Sequence, residues 1–262
     1  MRGKLASIRE NKTAAYVIPL ALFMLIQPLG GFFEIDHSDL PWYQSAPEHW
    51  VYPLQTVLCL AVLLFFWRNY EFRPIRGTGL AIGMALLGMV AWFLPSYLYR
   101  WLGVEHWAQP MVSIPMVDSG SPIWRYFGLA PREEGFDPTV FSGHPGWFSV
   151  VVMMRLLRMV VIVALVEEIF WRGFLMRYLV NPDKPFYKVP FGKHRWLAYW
   201  VTTLAFMLVH LPEDWLGAYV YGSLTYWVAV RTRSLYACVL MHAVANLILG
   251  VYVMSTGEWG FW

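Results

Sequence analysis

Two adjacent carboxylates lie in the middle of an apolar run, and an arginine follows them. Glu168 and Arg172 are four residues apart, so they share one face of a helix and are predicted to pair. Glu167 is rotated by about 100° from Glu168 and points elsewhere. A carboxylate without a cationic partner in such a setting suits a general base. The alternative is a Glu–Arg clasp between packed helices, which leaves Glu167 unexplained.

Two histidines and an asparagine occur in later apolar runs. His210 precedes Leu211 and Pro212, so its helix is predicted to end there, and alone it is typical of an interfacial residue. His242 and Asn246 are four apart on one helix face, where an imidazole and an amide can hold an oxyanion. The alternative for this pair is hydrogen bonding between membrane helices.

These polar residues are concentrated in the C-terminal half of the chain, and the first three apolar runs hold no comparable set. A charged side chain at mid-bilayer costs about 3 kcal/mol on insertion scales, so such residues are functional candidates. The concentration favours one buried polar site over scattered contacts between helices.

The composition indicates a lipid environment for the elements that position this site. Of 262 residues, 58% are hydrophobic, 18% aromatic and only 14% charged, whereas soluble domains have about 25% charged residues. The net charge of +3 is too small to predict a nucleic-acid partner. Cys59 and Cys238 lie inside apolar runs, as small core residues do, and predict neither a disulfide framework nor a zinc site.

Seven apolar runs are predicted to be membrane helices, because about twenty apolar residues cross a layer of roughly 30 Å. They are residues 14–33, 49–67, 78–98, 147–180, 196–211, 215–230 and 235–254. The fourth is too long for one straight span, so we expect either an interfacial helix over 147–158 followed by a span or two closely spaced helices. The predicted fold class is all-α, a polytopic membrane bundle of seven or eight transmembrane helices.

The loops alternate in charge, with Lys and Arg in the N-terminal tail, 68–76, 183–195 and 231–233, and only acidic charges in 34–48 and 213–214. The positive-inside rule then predicts a multi-pass protein of the plasma (inner) membrane with a cytoplasmic N-terminus. The first run is predicted to be an uncleaved span, since no small-residue cleavage site follows it.

The predicted organisation is a single membrane domain in two parts. Residues 1–145 form a three-span scaffold with a long outward loop, and 146–262 form a helical catalytic core. The segment 100–145 is rich in Pro, Gly and Ser. It is either a loop that lies over the spans, as a lid or partner site, or a solvated connector.

The three motifs together resemble the CAAX protease and bacteriocin-processing family of intramembrane endopeptidases, which includes CAAX prenyl protease-related proteins. The family pattern is Glu-Glu-x-x-x-Arg, then Phe-x-x-x-His, then His-x-x-x-Asn or Asp, and residues 167–172, 206–210 and 242–246 match it in order. The resemblance covers roughly residues 160–250. It implies hydrolysis of a peptide bond in a membrane-associated protein or peptide.

The resemblance also implies roles for individual residues. By this resemblance, the catalytic residues would be Glu167, His210, His242 and Asn246. Glu168, Arg172 and Phe206 would support them. Of the catalytic residues, the first two would activate the attacking water and the next two would stabilise the oxyanion, and Glu168 with Arg172 would order the site. The partners implied are a membrane-associated polypeptide substrate and the lipid bilayer.

No cofactor is predicted, and a divalent metal such as zinc is the alternative. Glu167, His210 and His242 are all residue types that ligate zinc, but the chain has no His-Glu-x-x-His run. Two other functions compete with the peptidase. One is a catalytically silent scaffold or immunity-type protein of the same fold. The other is a transporter or proton relay. Against it, the sequence shows no pair of Gly/Pro-broken helices in matching halves, which many transporters have.

Overall fold

The computed structural model describes residues 7–35, 40–103, 110–113, 120–132 and 135–262, and these are mostly helical. The α-helices are α1 Lys12–Ile26, α2 Leu29–Phe33, α3 Trp42–Ser45, α4 Glu48–Phe66, α5 Thr78–Leu102, α6 Pro145–Val180, α7 Trp196–Leu208, α8 Trp215–Thr232 and α9 Leu235–Thr256. Two short strands, β1 Met111–Val112 and β2 Ser121–Pro122, pair antiparallel between α5 and α6. Three short 3₁₀ helices border the site: Pro138–Phe141, Pro212–Asp214 and Trp259–Phe261.

The all-α membrane bundle predicted from the apolar runs is confirmed, since each run contains a helix. Five helical segments of the described chain are long and apolar enough to cross a membrane: Lys12–Phe33, Glu48–Asn69, Thr78–Leu102, Pro145–Val180 and Leu235–Thr256. Helix α7 has 13 residues, about 20 Å of helix. Together with α8 it completes the bundle around the longer helices.

The outward faces of the long helices are apolar, as a surface in contact with lipid must be. Leu25 is 72% exposed on α1, Leu64 is 59% exposed on α4, and Val251 is 62% exposed on α9. An exposed apolar surface of this extent is unusual for a soluble monomer. The protein is therefore an integral membrane protein.

Helix α6 is one continuous helix, so both predicted ways of dividing residues 147–180 are wrong. The chain has no proline or glycine between Gly146 and Gly173 to break it, and the helix is about 50 Å long. Two of its segments, Arg158–Val163 and Ile169–Leu175, are π-helical. They flank the α-helical turn Ala164–Glu168 that carries both glutamates.

The other helices pack around the middle of α6. Helix α9 lies against Ala164–Glu168 and the first π segment, while α1 lies against the second. Gly173 permits this close approach of α1, because a Cβ atom there would be 2.8 Å from Cε1 of buried Tyr16. Helices α8 and α9 also pack on α5, which closes the bundle around the centre of α6.

The described part of the segment 100–145 packs against one end of the bundle. Arg125 donates from Nε to Oε1 of Glu213 at 2.6 Å, and Arg132 donates from Nη2 to Oδ1 of Asp214, also at 2.6 Å. The Arg132 guanidinium lies 3.8 Å from the ring centroid of Phe261. These contacts fix the loop to the turn before α8 and to the segment after α9. Residues 104–109, 114–119 and 133–134 are outside the described ranges.

Candidate active site

A cavity of about 250 Å³ lies between α1, α5, α6, α8 and α9, and polar side chains line it. All four residues predicted to be catalytic contribute to its wall: Glu167, His210, His242 and Asn246. They come from the middle of α6, the turn after α7, and two successive turns of α9. The fold therefore brings three motifs that are far apart in sequence to one internal space.

Glu168 lies beside this space and is completely buried. Its Oε1 atom accepts hydrogen bonds from Nη1 of Arg172 at 3.2 Å and from Nδ1 of His242 at 2.9 Å. Nη2 of Arg172 donates to the backbone carbonyl of Gly222 at 3.2 Å. One carboxylate thus joins α6 to α9, and its arginine joins α6 to α8.

Glu167 has a different environment although it is the adjacent residue. Its side chain is buried, with the residue 8% exposed, and lines the cavity. Its Oε2 atom has no hydrogen-bond partner among the described residues, and no ion pair within them includes this carboxylate. A carboxylate that makes no ion pair with the described residues, and that lines the cavity, is available to accept a proton.

His210 is held in one tautomer by its own helix. Its Nδ1 atom lies 2.7 Å from the carbonyl oxygen of Phe206. Because a carbonyl only accepts, Nδ1 carries the proton and Nε2 of the neutral ring keeps its lone pair. Helix α7 ends at Leu208, before Pro212 as predicted. Nε1 of Trp215 donates to the His210 carbonyl at 3.1 Å, which fixes the turn.

Phe206 lies between Arg172 and His210 and contacts both. Its ring is almost completely buried and its centroid lies 4.9 Å from the Arg172 guanidinium carbon and 4.7 Å from the centroid of His210. A cation over an aromatic face is stabilised by the ring quadrupole. Gly222 gives the ring its space, since a Cβ there would lie 3.1 Å from Cδ1 of Phe206.

His242 and Asn246 lie one turn apart on α9, and each also contacts α6. The Glu168 carboxylate accepts from Nδ1 of His242, so Nε2 can donate only when the ring is cationic. Nδ2 of Asn246 donates to the carbonyl of Met159 at 2.7 Å. An amide nitrogen has two hydrogens, so Asn246 keeps one for a ligand in the cavity.

The donor set does not form a ready-made metal centre. Among the described residues, no group of three or more His, Cys, Asp or Glu side chains is arranged to hold a metal ion. Glu167, His210 and His242, the alternative ligands, line the cavity without forming such a group.

Sequence reasoning missed two arginines and two aromatic residues that also line the cavity: Arg155, Arg158, Tyr221 and Trp262. The arginines carried a usable signal, because they are ionisable residues inside an apolar run, like Glu167. They lie in residues 147–158, for which the sequence predicts an interfacial helix, and an arginine in such a helix does not indicate a buried site. No sequence signal marks Tyr221 or Trp262.

One family of known proteins matches the segment that contains these residues. Residues 149–248 match the family described as Rce1-like, Type II CAAX prenyl endopeptidase. No curated protein and no solved structure matches the chain. The matched segment runs from α6 into α9 and contains all three motifs. The resemblance predicted from those motifs is confirmed over this segment, which is 100 of the 262 residues of the chain.

Proposed function

We propose that this protein is an intramembrane endopeptidase that hydrolyses a peptide bond in a membrane-associated protein or peptide. The observation that carries the proposal is the shared cavity of Glu167, His210, His242 and Asn246. The Glu167 carboxylate, which makes no ion pair with the described residues, and a histidine with a bare Nε2 supply a base. An amide and a histidine paired with a carboxylate supply hydrogen-bond donors.

The proposed reaction begins with a water molecule between Glu167 and Nε2 of His210. Glu167 takes one proton from the water as its oxygen attacks the carbonyl carbon of the substrate. The resulting oxyanion accepts hydrogen bonds from Nε2 of cationic His242 and from the free Nδ2 hydrogen of Asn246. Collapse of the tetrahedral intermediate breaks the C–N bond, and Glu167 returns its proton to the leaving amine.

Glu168 and Arg172 act as positioning residues in this proposal. Glu168 accepts from Nδ1 of His242, which orients the imidazole. Arg172 neutralises the same carboxylate and stacks on Phe206, whose carbonyl sets the tautomer of His210. His242 and His210 are therefore oriented through one connected set of contacts.

We further propose that the protein is in the plasma (inner) membrane with its N-terminus in the cytoplasm, a reading supported by the alternation of basic and acidic loops. The substrate would then be a polypeptide held at or in the bilayer. The mechanism needs no cofactor, and the zinc alternative predicts that chelation abolishes cleavage.

The test is a cleavage assay in liposomes with a peptide library, with and without prenyl groups. Glu167→Gln and His210→Ala should each lower the rate by about 100-fold or more and still yield folded protein. Glu71→Gln is the matched control, because that carboxylate is exposed and pairs with Lys12 on the surface. Chelator-treated wild type should keep its activity.

A wild-type rate for Glu167→Gln would refute the assignment of the base. If no peptide is cleaved, and cells that carry Glu167→Gln behave as wild type, the scaffold or immunity-type alternative replaces the peptidase.

A further inference from the structure

Three arginines lie together outside the catalytic cavity, at the end of the bundle where α8 ends and α5 and α9 begin. Arg76 precedes α5, while Arg231 and Arg233 lie on either side of the last residue of α8. All three are exposed and line an open cavity of about 830 Å³ that shares no residue with the catalytic cavity. Arg76, Arg231 and Arg233 are called the arginine cluster below.

The arginine cluster is held together by contacts between the chain before α5 and the end of α8. Nε of Arg76 donates to the carbonyl oxygen of Thr232 at 2.5 Å. Gly77, with a φ of 83°, permits this approach, because a Cβ atom there would be 2.5 Å from Cγ2 of Thr232. Arg76 is thereby fixed beside the other two arginines, which are the neighbours of Thr232 in the chain.

Arg233 has a backbone conformation that glycine normally supplies at the end of a helix. Its φ is 51° and its ψ is 41°, in the left-handed region, and its amide donates to the carbonyl of Ala229 at 2.9 Å. Among the described residues it is the single one other than glycine with a positive φ. This conformation is costly for a residue with a Cβ atom. An arginine at this position therefore indicates a role for its side chain.

No carboxylate of the described chain forms an ion pair with the arginine cluster. The sequence has no Asp or Glu in residues 72–102 or 215–257, which include every residue that lines this cavity. Glu71, the acidic residue nearest to Arg76 in the sequence, pairs with Lys12 at 3.1 Å. The cluster therefore concentrates positive charge and is suited to an anion.

The rest of the cavity wall is largely apolar. Leu80 of α5 and both Trp227 and Val230 of α8 line it beside the arginines, and Trp227 is 46% exposed. Because α5 is long and apolar enough to cross the membrane from Thr78, its first turn lies at the boundary of the hydrocarbon layer. Tryptophan is enriched at this level. One cavity thus combines cations with an apolar wall at the depth of the lipid headgroups.

We infer that the arginine cluster binds the phosphate of an anionic phospholipid, whose acyl chains lie along Leu80 and Trp227. A guanidinium matches a phosphate with two parallel hydrogen bonds, and basic pockets between membrane helices bind phosphate headgroups. A lipid fits better than an acidic protein segment because the cations adjoin an apolar wall. A bound phosphate would bridge α5 and α8. This inference does not depend on the proposed peptidase function.

The test measures lipid binding to the purified protein in detergent by native mass spectrometry. Phosphatidylglycerol is compared with phosphatidylcholine of the same acyl chains, because only the first has a net negative charge. Wild type should bind phosphatidylglycerol tighter by about tenfold or more. Phosphatidylglycerol should also raise the melting temperature more than phosphatidylcholine does, because a ligand of the native state stabilises it.

The variants assign this preference to the arginine cluster. Arg76→Gln and Arg231→Gln should each weaken binding of phosphatidylglycerol by about fivefold, and the triple variant that adds Arg233→Gln should bind the two lipids equally. Arg233→Gly separates binding from folding, because glycine suits the left-handed backbone. It should be at least as stable as wild type without lipid and still bind phosphatidylglycerol about fivefold more weakly.

A matched control removes the same number of positive charges elsewhere. Arg68→Gln combined with Lys184→Gln and Lys188→Gln changes exposed residues of the basic loops that do not line this cavity. This control should keep the wild-type preference. If it loses the preference as fully as the triple variant does, binding depends on overall charge, and the site is refuted.

Equal binding of both lipids by wild type would overturn the inference, and this comparison needs no variant. Glycerol phosphate, which has no acyl chains, provides a further comparison. If it displaces phosphatidylglycerol at equal concentration, the apolar wall has no role and the ligand is not a lipid. Neither measurement involves cleavage, so a negative result leaves the proposed peptidase unaffected.

Discussion

The same conservative substitution at two adjacent glutamates should have opposite consequences. Glu167→Gln removes a carboxylate that makes no ion pair among the described residues, whereas Glu168→Gln removes one that accepts from Arg172 and His242. Gln keeps the size of the side chain in both variants. Any difference between them therefore reports the electrostatic role of each carboxylate.

The structure gives the size of the expected effect. A hydrogen bond to a charged group contributes about 1.5–3 kcal/mol, and Glu168 accepts two, at 3.2 and 2.9 Å. Its loss leaves Arg172, which is 2% exposed, as a buried cation without a counter-charge. Breaking a buried pair on one side costs about 3–5 kcal/mol, so Glu168→Gln should lower the melting temperature by of the order of 10 °C.

Glu167→Gln should change the free energy of unfolding by less than about 1 kcal/mol, because no partner is lost, while cleavage falls by at least about 100-fold. Both properties can be measured on one preparation, by thermal unfolding in detergent and by cleavage after transfer to liposomes. The double variant Glu168→Gln with Arg172→Met restores neutrality and should be more stable than the sum of the single effects predicts, by about 1–3 kcal/mol.

Two results would refute this reasoning. Equal melting temperatures for wild type and Glu168→Gln would mean that the buried pair with Arg172 does not stabilise the fold. A large loss of stability in Glu167→Gln would mean that this carboxylate has a structural partner, and its assignment as a base would lose its basis.

Two further predictions concern packing and pH. Gly173→Ala should destabilise the protein by about 1–3 kcal/mol in thermal unfolding, since its Cβ would press on Tyr16, whereas Gly146→Ala, where nothing lies within 4 Å, should not. The bidentate hydrogen bond from Arg100 lowers the pKa of Glu258, so this pair stabilises the fold at neutral pH and loses its effect as the pH falls through that lowered pKa. Wild type should melt above Glu258→Gln at pH 7, and the difference should shrink as the pH is lowered into the acid range.

The helices were predictable because each hydrophobic run has its own length and limits in the sequence. The continuity of α6 could not be predicted in the same way, because the expected break assumed a straight span of about twenty residues. Nothing in residues 147–172 breaks a helix, and packing against α1 and α9 accommodates its length as one helix with π segments.

Within the site, the spacing of residues in the sequence predicts only contacts between residues of the same helix. Glu168 and Arg172 are four residues apart, and they do lie in contact. The bond from His242 to Glu168 joins residues 74 positions apart, and no local pattern specifies such a partner. Spacing paired His242 with Asn246 instead, but the hydrogen bond of Asn246 goes to Met159 on α6. Tertiary packing decides these partners, and the periodicity of the sequence does not specify how the helices pack.

The π segment Arg158–Val163 begins at one of the two cavity arginines and ends four residues before Glu167, so its winding sets the rotational phase between Arg155 and Glu167. A regular α-helix turns by about 100° per residue, and a π-helix, whose hydrogen bonds run from i to i+5, turns by less. The same six residues wound as a regular α-helix would therefore rotate Arg155 relative to Glu167. The winding of this one turn decides which side chains of α6 line the cavity together, independently of the identity of the residues between them.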